Sequence, residues 1–151
     1  MASTIRPFGM TLQVHVGDIA EGRRFYTTLF GRAPDFEPHE DFLEWRVLPG
    51  VELWWQIVGV PQGPRPLATR VRLLVADIRE AVRRAEETLG VTTSAVTTLP
   101  NVVRFTDFED PWGNRLGFYE DIVPSNEQPS PGGGVHDPSQ YEVERFGSAA
   151  I

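Results

Sequence analysis

The sequence predicts an α+β fold in which two tandem βαβββ modules form one curved mixed sheet around a groove, with both helices outside. Two observations carry that expectation. The first is an internal repeat: Asp18, Glu21 and Gly31 recur as Asp77, Glu80 and Gly90, each displaced by 59 residues (18 to 77, 21 to 80, 31 to 90). An aspartate cap, a glutamate three residues on and a terminating glycine are ordinary marks of one helix, but at a single shared offset they indicate a duplication. The second is Val102 to Glu120, VVRFTDFEDPWGNRLGFYE, where Val103, Phe105, Leu116 and Phe118 alternate with other residues on either side of an Asp-Pro-Trp-Gly turn. Pro111 presets one turn dihedral and Gly113 permits another, so the run reads as a β-hairpin, which needs a covering layer for its apolar face.

Taken in order, Thr11 to Val16 alternates as a strand with Leu12, Val14 and Val16 on one side and Thr11, Gln13 and His15 on the other. Asp18 caps the first helix, whose buried side draws on Ile19, Phe25, Tyr26, Leu29 and Phe30. A proline-containing turn holding His39 leads to two strands, Phe42 to Leu48 and Val51 to Val58, broken by Pro49-Gly50. The prolines at 61, 64 and 66 make 59–66 a connector between module one (8–58) and module two (67–122) of a single domain spanning 8–122. Module two repeats the order: a strand from Arg70 to Val75, a helix with Ile78, Val82, Ala85 and Leu89 on its stripe, a Thr-rich strand over Val91 to Val96, and the hairpin. The Pro-, Gly- and Ser-rich segment 123–151 reads as a tail, although Tyr141 to Phe146 keeps a strand-like alternation.

With 151 residues and 40% apolar content the chain suits one domain. A net charge of −7 argues against a nucleic-acid or acidic-membrane partner, because no basic surplus offsets phosphate repulsion. All 14 basic residues are arginine, so only an arginine's position, not its type, carries information. The absence of cysteine removes disulfides, thiolate metal ligands and cysteine nucleophiles together, and the short polar start lacks the apolar core of a secretory signal, so a cytoplasmic location is expected.

Function is expected on the sheet side opposite the helix-facing aliphatics. Alternation places Thr11, Gln13, His15, Glu52, Trp54, Arg70, Arg72 and Tyr119 there, with Trp112 at the hairpin tip, and sends Trp55 to the helix side. Trp54 and Tyr119 are expected to hold a flat ring system while Arg70 and Arg72 meet its polar edges. His15 and Glu52 are the candidates for acid-base work, weighed against His15 as a hydrogen-bonded wall residue.

The marks Val16-Gly17-Asp18-Ile19, Phe25-Tyr26, Leu29-Phe30-Gly31, Val75-Ala76-Asp77-Ile78 and Asp110-Pro111-Trp112-Gly113-Asn114-Arg115-Leu116 resemble those of the vicinal oxygen chelate superfamily. That superfamily includes glyoxalase I, extradiol dioxygenases, and fosfomycin- and bleomycin-resistance proteins. The resemblance implies metal ligands at one position in the first strand and one in the last strand of each module, which map here to Thr11, Glu52, Arg70 and Gly117. Only Glu52 is a competent ligand, so no metal and no cofactor are expected. The resemblance therefore favours a metal-free, bleomycin-resistance-like protein that sequesters a planar aromatic natural product or antibiotic. The alternative it leaves open is a lyase, isomerase or dioxygenase, either with rearranged metal ligands or metal-free through His15 and Glu52. Because members of this fold commonly pair, a homodimer is expected.

Overall fold

Residues 4–124 and 142–144 are described in the computed structural model. The chain divides into two compact units, one reaching to Leu67 and including Pro111–Asn114, the other running from Ala68 to Asp110 and resuming at Arg115. In each, a βαβββ module is built as the repeat predicts.

The first unit holds β1 (Met10–Val16), α1 (Ile19–Phe30), β2 (Phe36–His39), β3 (Phe42–Arg46) and β4 (Leu53–Gly59), with sheet order β1-β4-β3-β2. β1 and β4 are parallel, while β3 is antiparallel to both its neighbours. The Asp18 carboxylate accepts from the Glu21 N–H at 2.9 Å, satisfying one of the helix's orphan donors. Gly31 ends α1 at φ 73°, a left-handed conformation cheap only for a residue without Cβ. The core under α1 is aromatic: Tyr26 lies 5.5 Å from Trp55 and 6.2 Å from Trp45 between ring centroids, and all three are essentially inaccessible. Trp55 thus sits on the helix side as alternation requires, and Trp45 joins it, its indole N–H donating to the Arg32 carbonyl at 3.0 Å.

The second unit repeats the plan with β5 (Arg70–Leu74), α2 (Ile78–Leu89), β6 (Val96–Leu99), β7 (Val103–Glu109) and β8 (Arg115–Asp121). A short β9 (Glu142–Glu144) pairs antiparallel with β6, giving the order β5-β8-β7-β6-β9. Asp77 caps α2 through the Arg79 and Glu80 N–H groups, and Ile78, Val82 and Ala85 form its buried stripe. On the outer face of α2 a hydrogen bond from Arg83 holds the Glu80 carboxyl below the ordinary carboxylate range. Among the described residues no helix is long and apolar enough to cross a membrane.

Three local expectations are corrected. Phe36–His39 is a strand, not part of a turn; all four residues are exposed and Pro38 interrupts the pattern, which is the form an edge strand takes. The strand expected over Val91 to Val96 lies instead at Val96–Leu99, because the Thr93 hydroxyl donates to Glu86 of α2 at 2.8 Å and holds the preceding segment back toward the helix. Hydrogen bonding also separates into two sheets, one per module, in place of one continuous ladder. Of the tail, Glu142–Glu144 falls within the alternating stretch, and the rest of that segment lies outside the described residues.

Candidate functional site

The register of the first sheet sets the residues facing away from α1 into rows. Thr11, Trp54 and Arg46 form one row, Gln13, Gln56 and Glu44 the next, and His15, Val58 and Phe42 the third. The Gln56 amide donates to the Glu44 carboxylate across the second row. In the first row Trp54 is gripped from two sides. Its indole N–H donates to Glu52 Oε2 at 3.2 Å, and the Arg46 guanidinium lies 5.1 Å from the ring centroid while pairing with Glu52 Oε1. Arg46, Glu52 and Trp54 therefore form a closed triad that fixes the orientation of a half-buried aromatic ring. Arg46 escaped the sequence reading; the signal available was its alternation with Trp45, since a buried Trp45 obliges Arg46 to face the other way.

His15 is placed elsewhere. It pairs in register with Val58, six strand positions from the Gly9–Glu52 level, which corresponds to roughly 20 Å. Direct proton exchange between His15 and Glu52 is thereby excluded. The His15 Nδ1 accepts the Arg65 N–H at 3.1 Å, which makes His15 the anchor of the connector.

Trp112 and Asn114 belong to the first unit by their contacts. The Trp112 ring lies so close over Gly17 that a Cβ there would meet its Nε1 at 2.6 Å. Asn114, fully buried, donates through Nδ2 to the His15 carbonyl at 2.8 Å and accepts the Leu67 N–H at 2.9 Å. The turn joining β7 and β8 thus packs Trp112 and Asn114 against the end of β1, while Pro111 stays exposed.

In the second sheet the rows facing away from α2 are Arg70, Arg115 and Glu109; Arg72, Gly117 and Asp107; and Leu74, Tyr119 and Phe105. Asp107, which sequence reasoning passed over, organises them. It receives the Arg72 fork at 2.9 and 3.1 Å and Arg70 at 3.0 Å, and Arg72 also stacks 4.2 Å from the Phe105 centroid. The signal was again register: Asp107 stands directly opposite Gly117, the one residue whose missing side chain leaves room for an ion pair to lie across β8.

The positions that the resemblance assigns to a metal do not fit one. Thr11 offers a single hydroxyl, Gly117 nothing, Arg70 a fixed cation already bound to Asp107, and Glu52 a carboxylate committed to Arg46 and Trp54. Among the described residues no three His, Asp or Glu side chains converge on one point.

Paired βαβββ modules with this strand order define the vicinal oxygen chelate architecture. The sequence is 30% identical to a glyoxalase/bleomycin resistance protein of known structure from Catenulispora acidiphila, over 78% of this chain and 100% of that one, with a TM-score of 0.61. The chain belongs to the glyoxalase/bleomycin resistance protein family. The same fold is found in a glyoxalase-related enzyme from Fulvimarina pelagi, at 15% identity, 82% and 96% coverage and a TM-score of 0.61. It recurs in the oxidase ChaP-H1, at 20% identity, 82% and 100% coverage and a TM-score of 0.58. No family model matches the sequence, and no curated protein matches it.

Proposed function

We propose that this family member is a metal-free binding protein that sequesters a planar aromatic natural product, with Trp54 as its main anchor. The observation that carries the reading is the triad: the sole carboxylate at a family ligand position is spent on orienting an aromatic ring instead of holding a cation. A ring fixed in advance loses little conformational freedom on binding, and stacking rewards any flat partner. Thr11 and Gln13 lie beside it on the same sheet face and supply polar edges. In the second unit Tyr119 stands on the corresponding face as a second aromatic surface.

Two measurements test this. Elemental analysis of purified protein should give no stoichiometric zinc, nickel, iron or manganese; about one metal per chain, lost in Glu52→Ala, would sink the metal-free reading. Screening planar aromatic natural products by thermal shift should find one that stabilises the protein and quenches tryptophan emission. Trp54→Ala should then bind it about thirtyfold or more weakly while melting within a few degrees of wild type, because an aromatic anchor contributes about 2 kcal/mol or more. If Trp54→Ala unfolds the chain, or binds the compound as well as wild type does, Trp54 is not the anchor.

A further inference from the structure

We propose that the second unit carries a separate site for a small hydroxy- or amino-carboxylate, in the open cleft where β5 and β8 begin. The cleft has a volume of about 590 Å³, within the range of small-molecule sites, and its walls include Arg70, Arg115, Thr92, Ser94, Asp107 and Glu109. This inference does not depend on the role of Trp54, which lies in the other unit.

Charge placement carries the argument. Arg70 and Arg115 are register partners on the parallel strands β5 and β8, so two guanidinium groups leave neighbouring backbones on the same face, roughly 4.8 Å apart. Like charges in that relation repel. Asp107 relieves only Arg70, since its carboxylate already accepts that side chain and both arms of Arg72. Arg115 faces Glu109 in the β7–β8 register, yet neither side chain forms an ion pair or hydrogen bond among the described residues. A guanidinium whose donors no described side chain occupies thus stands on the wall of the cleft.

A carboxylate matches that cation, because its two oxygens fit the guanidinium fork and its charge relieves the Arg70–Arg115 repulsion. The remaining groups define what accompanies it. The exposed Thr92 hydroxyl can donate or accept, and the Glu109 carboxylate can accept from a hydroxyl or ammonium group next to the bound carboxylate. Ser94 is less available, because its hydroxyl accepts the Asp107 N–H at 2.9 Å. A neutral molecule of the same shape offers the guanidinium fork no charged bidentate partner.

The test uses the full-length protein, L-malate as probe and malamide as its neutral counterpart, at fixed ionic strength. Backbone amide NMR of wild type should show saturable shifts at Thr92, Ser94 and Arg115 with malate and none with malamide. Arg115→Gln, an exposed position, should weaken malate binding about tenfold or more, whereas Arg24→Gln on α1 should leave it unchanged. Shifts that fail to saturate, that map away from the cleft, or that persist equally in Arg115→Gln overturn the site. The wild-type map decides the matter even if a variant misbehaves.

Discussion

Gly117→Ala is expected to cost about 3 kcal/mol or more, a fall in Tm of roughly 6–12 °C for a chain of this size. A Cβ at this position would stand 2.4 Å from the Thr106 carbonyl oxygen, 2.7 Å from Asp107 Oδ1 and 3.0 Å from Arg72 Cγ. None of the three can retreat cheaply. Thr106 is buried backbone paired to the strand that would carry the methyl group, and Asp107 is fixed by three donors. Because β8 runs between β5 and β7, relieving the clash means opening one ladder or breaking the Arg72–Asp107 fork. Urea unfolding should report the loss with an unchanged m-value; a loss below about 1 kcal/mol would show that the strands separate more easily than this register implies.

Asn114→Ala should destabilise by about 2–4 kcal/mol, since the side chain is buried and satisfies two backbone groups, the His15 carbonyl and the Leu67 N–H. Alanine leaves both without that partner and opens a small void. A turn-propensity explanation is separable by experiment. The one positive-φ residue other than glycine among the described residues is Asn101, so Asn114 is not there to tolerate a left-handed conformation. Asn114→Gly should therefore be at least as damaging as alanine. Recovery of wild-type stability by glycine would mean that backbone angle, and not the amide bridge, is what the residue provides.

The difference between those two positions shows what was legible. The place of Asn114 after Pro-Trp-Gly suggests a turn role and hides the bridging one, because turn chemistry is local whereas both hydrogen-bond partners are distant along the chain. The packing of Trp112 over Gly17 is hidden for the same reason, since the two residues lie far apart in the chain. The pairing of Arg70 and Arg72 with Asp107 was equally out of reach, since it depends on a register linking residues more than thirty positions apart.

Local signals alone establish the duplicated βαβββ plan, the ends of both helices, the β7–β8 strands and the side of the sheet on which Trp54 and Trp55 fall. These follow from period-two alternation, capping chemistry and a repeated offset, all of which act within a few residues. Long-range packing sets the edge strand at Phe36–His39, the start of β6, the roughly 20 Å along the strands between His15 and Glu52, and the commitments of Glu52, Arg70 and Arg72. Those outcomes depend on which strands meet and in what register. Register is set by the packing of whole faces, and no local spacing encodes it.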